Sequence, residues 1–288
     1  MYELSRNQEP NKKSYLNRMG NASITPVTSL RLVLVDSPAE ARRMLQHAEQ
    51  IDGYLATCYN DTRNEMARSE GTYHPNVISA DDHSFFQYHL NRALPRLPLR
   101  LRTDLGTVHI VSLMPSAEGG MPHTRPTSLI CAPHLRSLTT FSTLVHELWH
   151  VHQRLYHTEW DAVFFRMKWK EWPGQLPALL EKGRRYNPDT VDTPLWVFQD
   201  TWVPVPMFDH LTQPHIKETT IWFYNVKDGY HIKHVPGELH HLAPDLPAPA
   251  WEHPREMAAY LLADPTTHQH SVLYQQLLQD MGNISVSS

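Results

Sequence analysis

Within Thr143-Leu144-Val145-His146-Glu147-Leu148-Trp149-His150, two histidines stand four residues apart, and a glutamate directly follows the first. On an α-helix, residues at i and i+4 differ by about 40° around the axis and about 6 Å along it. His146 and His150 therefore project from one face and can share one ion. Zinc takes imidazole nitrogen at about 2.0–2.1 Å in tetrahedral geometry and lowers the pKa of a water bound to it to near 7. Glu147 lies about 100° further round. It is badly placed as a third ligand but able to take a proton from that water and pass it to a leaving amine. The chemistry of the three together is metal-assisted hydrolysis at a carbonyl.

The chain has 288 residues, of which 20 are His and 15 are Glu. At that composition about 0.07 such patterns arise by chance, so context has to carry the assignment. Leu138, Phe141, Leu144, Val145, Leu148 and Trp149 give the surrounding segment a helical apolar period, and Glu147 is the only charged residue between the two histidines apart from the histidines themselves. This pattern predicts a long helix over 138–156. Upstream, 29–35 and 107–113 alternate as strands, 99–102 reads as a third, and 127–131 as a short one. A helix over about 38–56 starts with Ser37 as N-cap and Pro38 at its first position. Another covers 81–93 with Asp81 or Asp82 as cap. The segment 116–126, with Gly119, Gly120 and two prolines, reads as a loop.

From about 158 the character changes. Six of the eight Trp residues fall between 160 and 225, among short strands and proline turns such as Asn187-Pro188-Asp189, and Asn225 to Tyr230 reads as a hairpin turn. The Trp cluster is read as the core of this region. Helices return at 254–263 and 268–281. The expected organisation is a polar arm over 1–27 and one domain over 28–288, with 158–250 inserted as an aromatic and proline-rich segment. The class is α+β.

Composition narrows the function. The net charge of −4 supplies no basic field, so a nucleic-acid binder is not expected, although 182–185 is locally basic. No run of 18 apolar residues occurs, so no membrane span is expected. The polar first 23 residues lack the apolar core of a secretory signal, and Cys58 and Cys131 are too few to staple the fold. An intracellular or virion setting is the resulting expectation.

The His-Glu-x-x-His helix resembles the zincin metallopeptidases over about 20 residues. That resemblance implies a small mixed or antiparallel sheet packed on the motif helix, with an edge strand that binds extended peptide or protein substrate; segments 107–113 and 127–131 would supply it. The metzincin branch needs Gly and His where this chain has Gln153 and Tyr156. The gluzincin branch takes a Glu from a downstream helix, and Pro254-Arg255-Glu256-Met257-Ala258-Ala259 is similar to that pattern, 106 residues after His150. The resemblance thus implies Zn2+ held by His146, His150 and Glu256, with Glu147 as general base. Glu252 and His253 are rival ligands. Tyr260 stands where many gluzincins place an Asp that orients the first His. Oxyanion donors would come from Tyr224, Tyr230, His231, His240, His241 or Tyr260, and His123 is placed to contact substrate. The competing reading is an inactive structural or interaction protein on the same scaffold, marked by a fourth protein ligand such as His231 or His240.

Overall fold

The structure, a computed structural model, describes residues 30–68 and 72–282; the expected arm over 1–27 lies outside them. Strand β1 (Arg31–Val35) leads into α1 (Pro38–Asp52), α2 (Tyr54–Tyr59), α3 (Thr62–Ala67), α4 (Ala80–Ala93) and α5 (Leu99–Asp104). Strands β2 (Thr107–Ser112), β3 (His123–Arg125) and β4 (Leu129–Ala132) complete a four-stranded sheet in the order β1-β2-β4-β3. β1, β2 and β4 run parallel, while β3 is antiparallel to β4. The motif helix α6 (Phe141–Leu155) packs against β3 and β4, followed by α7 (His157–Arg166).

The inserted region builds a second sheet. Strands β5 (Trp169–Glu171), β6 (Trp196–Phe198), β7 (Trp202–Phe208), β8 (Thr219–Asn225) and β9 (His231–Ile232) form an antiparallel sheet in sequence order, with α8 (Ala178–Gly183) between β5 and β6. The chain then passes through α9 (Gly237–His240), α10 (Pro254–Ala263), α11 (Pro265–His268) and α12 (Val272–Gly282). The class is α+β. One apolar core runs from Leu32 and Ile130 of the first sheet through Leu148 and Ala258 to Trp169, Trp196 and Phe223 of the second. Trp160, Trp169, Trp196 and Trp202 are buried in it, as the core reading of the Trp cluster requires.

Several boundaries depart from the sequence expectation for local reasons. The helix expected over 38–56 breaks at Gly53, whose φ of +58° is a left-handed conformation glycine adopts without strain. Ser37 caps α1 as expected, accepting from the Glu40 amide. α4 is capped by Ser79 rather than by Asp81 or Asp82, which fall in its first turn. Segment 99–102, expected as a strand, is helical: Pro98 precedes it and Leu101 and Leu105 are buried one turn apart. The expected loop over 116–126 contains β3, joined to β4 through Thr127 and Ser128, both at positive φ. The motif helix starts at Phe141, three residues later than expected, after a 3-10 turn.

The edge of the first sheet is also reassigned. β2 is internal and β4 is covered by β3, so neither 107–113 nor 127–131 offers a free edge. The edges are β1 and β3, and β3 is anchored by a fully buried arginine. Arg125 donates to Asp52 at 2.6 and 2.7 Å, to Glu49 at 2.8 Å and to the Tyr73 hydroxyl at 2.9 Å. Removing one member of a buried pair strands the other's charge, at a cost of about 3–5 kcal/mol. Arg125→Met is therefore expected to lower the unfolding free energy by that amount in urea titration; a change below about 1 kcal/mol would show that β3 does not depend on the pair.

Candidate metal centre

α6 and α10 bring three donors from distant sequence to one point. His146 Nε2 lies 3.0 Å from His150 Nε2, and Glu256 Oε2 lies 3.3 and 3.4 Å from the two imidazoles. Four donors arranged tetrahedrally at 2.0–2.1 Å from an ion are separated by about 3.3 Å. The triangle of His146, His150 and Glu256 has that size, so these residues fit a zinc ion. Among the described residues they are the single group of three or more such side chains whose donor atoms converge this closely.

α10 packs against α6, and Ala258 and Ala259 lie in its fully buried stretch. Pro254 opens α10, and His253 caps it by accepting from the Arg255 amide, so Glu256 falls in the first turn. Gln153, one turn beyond His150, ties the two helices together. Its Oε1 is 2.9 Å from His150 Nδ1, and its Nε2 donates to the Arg255 carbonyl at 2.9 Å. An amide oxygen only accepts, so His150 carries a proton on Nδ1, and Nε2 is the nitrogen that faces the triad. The other oxygen of Glu256 accepts from Asn187 Nδ2 at 2.8 Å.

Asn187 belongs to a turn over 187–193 that locks the surroundings. Asp189 accepts from the Thr124 amide and hydroxyl, both at 2.6 Å. Asp192 pairs with Arg154 of α6 at 2.6 Å and Arg255 of α10 at 3.0 Å. Thr193 and His253 Nε2 are 2.9 Å apart. With both ring nitrogens engaged, His253 is not a ligand. Glu252 is not one either: it forms a buried ion pair with Arg185. Sequence reasoning treated 187–189 as a turn and Gln153 only as a missing glycine. Gln153 meets His150 one turn away, but its bond to Arg255, like those of Asn187 to Glu256 and of Asp189 to Thr124, spans 65 residues or more, which no local pattern carries.

A cavity of about 590 Å³ opens beside the triad, lined by His146, Glu147, Glu256, Tyr260 and His123 among others. Glu147 is buried and its Oε2 has no hydrogen-bond partner. Burial, then the nearby Asp189 and Glu256, push its carboxyl well above the usual range, against the pull of His150. Burial alone would also raise Glu256, but the imidazoles of His150 and His146 outweigh it and hold the carboxyl well below that range. Burial opposes a charge on His150, yet Glu256 and Asp189 raise it to about 9. The Tyr260 ring packs edge-on against His146 with centroids 4.7 Å apart. Tyr224, Tyr230, His231, His240 and His241 do not line the cavity; His231 stacks on Trp222 instead.

His123 sits in the cavity wall, held by the Tyr73 hydroxyl at 2.7 Å from Nε2 and by the Met121 carbonyl 3.2 Å from Nδ1. Comparison with protein-family models, with curated proteins and with solved structures finds no match to the chain.

Two outcomes are expected. Partners of ligating residues typically matter 10–100-fold for metal affinity, so Gln153→Ala is expected to weaken zinc binding about that much in competition with a chelating dye, while His150→Ala abolishes it. Equal affinity in Gln153→Ala and the parent protein would remove the orienting role. The second concerns pH. Burial lowers the His123 pKa, so the unfolded chain takes up a proton near pH 6.5 while the folded chain does not. This contribution is complete above pH 6.5 and is lost as pH falls below it. His123→Gln is expected to flatten the fall in unfolding free energy between pH 6.5 and 5, by up to ~1.4 kcal/mol per pH unit; identical slopes would contradict it.

Proposed function

We propose that the chain is a zinc-dependent hydrolase, most simply a metallopeptidase resembling the gluzincins, acting on peptide or protein substrate. One observation carries this reading: three converging donors, rather than four, border a cavity that also holds Glu147. Zinc with three protein ligands and an open position is the catalytic pattern, whereas structural sites close with a fourth. His231 and His240, the candidates for such a fourth ligand, lie away from the cavity lining.

Bound at the triad, zinc would supply Lewis-acid polarisation and acidify water. The rest falls to this chain's own residues. Gln153 and Asn187 hold His150 and Glu256 so that one nitrogen and one oxygen face the same point. Glu147 is the proton carrier. Its unpartnered oxygen suits a carboxylate that takes a proton from water and returns it to the leaving amine. Tyr260, beside His146 in the cavity wall, is placed to donate its hydroxyl to the oxygen that gains charge as the carbonyl is attacked.

The test is hydrolysis of a mixed peptide library by zinc-loaded protein, followed by mass spectrometry. Glu147→Gln is expected to keep one zinc per chain and lose about 10²–10⁴-fold in rate, and Tyr260→Phe to lose less with zinc retained. Cleavage that survives Glu147→Gln unchanged would remove Glu147 from the mechanism. Full zinc occupancy with no cleavage of any peptide would favour a structural or interaction role.

A further inference from the structure

The cavity wall carries a strong imbalance of charge. Among the described residues lining it, seven are Asp or Glu and one, Arg185, is a Lys or Arg. Two of the seven are matched: Glu118 by Arg68 at 3.0 Å, and Glu252 by Arg185. Glu256 belongs to the donor triad. Among the described residues, the other four, Glu147, Asp189, Asp245 and Asp264, form no ion pair with Lys or Arg. With Glu147 left out of the count, Asp189, Asp245 and Asp264 still leave the wall negative when a divalent ion occupies the triad.

A second observation points to what this charge meets. Glu118 Oε2 and Glu252 Oε1 have no hydrogen-bond partner, although both residues line the cavity and are more than nine-tenths buried. A buried carboxylate oxygen without a donor is costly, and the N–H groups of a cation are the donors that satisfy it best.

The edge strand limits the size of the ligand. The amide and hydroxyl of Thr124 are taken by Asp189, and its carbonyl accepts from Arg154 at 3.4 Å. A long extended chain cannot add to β3 at that point. The volume of about 590 Å³ falls in the range of pockets that enclose small ligands.

We propose that the cavity selects a short peptide-like substrate through a cationic group, an ammonium or guanidinium, drawn to Glu118 and Glu252 on the inner wall and to Asp245 and Asp264 at its more exposed margin. This deepens the hydrolase reading by naming its substrate class, and it rests on that reading for the zinc that anchors the scissile end. The cation has two possible sources, the free amino terminus or a basic side chain.

Four hydroxamates separate them: those of arginine, N-acetyl-arginine, norleucine and N-acetyl-norleucine, each titrated calorimetrically into zinc-loaded protein. Every compound bearing a cation at the recognised source is expected to bind about tenfold or more tighter than N-acetyl-norleucine hydroxamate. Tighter binding of N-acetyl-arginine hydroxamate than of norleucine hydroxamate identifies the side chain, and the reverse order the amino terminus. The preference should shrink as salt rises from 0.05 to 0.5 M. It should fall at least threefold in Asp245→Asn/Asp264→Asn, with Asp245→Asn alone, at an exposed position, showing part of that loss. Asp228→Asn, on the β8–β9 turn, should leave it intact. Equal affinity for all four compounds, a preference unaltered in the double variant, or no hydroxamate binding by protein that carries zinc would each overturn the proposal. Binding is read without turnover, so failure of hydrolysis in the peptide-library test is a separate result.

Discussion

Helices α6 and α10 pack against each other, and that packing brings His146, His150 and Glu256 to one point. That approach puts two imidazoles and a carboxylate into a region with little water. Each would be costly alone, since a buried charge without a partner is far less stable than a solvated one. Together they form a mutually satisfying set, and the surrounding polar groups are arranged to keep it so: Gln153 takes the second nitrogen of His150, and Asn187 the second oxygen of Glu256. The requirement that every buried polar atom near the triad find a partner shapes much of the local structure.

The inserted region meets that requirement. Its five-stranded sheet shares one apolar core with α6 and α10, and its turn over 187–193 sends side chains to Glu256, β3, α6 and α10. The same turn takes the amide and hydroxyl of Thr124, and Arg154 of α6 takes its carbonyl, which changes the use of the sheet edge. Among the buried side-chain atoms left without a partner are one oxygen each of Glu118, Glu147 and Glu252 and one nitrogen each of Arg185 and His268, all on residues of the cavity wall. A ligand in the cavity can complete these groups, and their placement on the wall that holds the triad links the electrostatics of the cavity with the proposed chemistry.

Much of this was legible in the sequence, and the division has a physical basis. His146, Glu147 and His150 share one helix, so helical period alone places them. Glu256 was recoverable because Pro254 starts its helix and a Glu followed by small residues resembles the gluzincin pattern. Residues acting across long sequence separations left no such trace. Asn187 reaches Glu256 across 69 residues and Asp189 reaches Thr124 across 65, through side-chain hydrogen bonds that impose no periodicity. Short elements failed for a related reason. β3 has three residues between prolines, and its turn uses Thr127 and Ser128 at positive φ without the glycine or asparagine that normally marks such a turn. The strand expected over 99–102 alternates, but burial of Leu101 and Leu105 on one side settles it as a helical turn.

The central claim is that two imidazoles and one carboxylate, with no fourth side chain, hold zinc in this chain. X-ray absorption at the zinc edge reads this directly in the purified protein. The expected spectrum is four-coordinate, with nitrogen and oxygen donors at about 2.0–2.2 Å and the outer-shell scattering of two imidazoles. A third imidazole, a sulfur donor near 2.3 Å, or protein that takes up no zinc would contradict it.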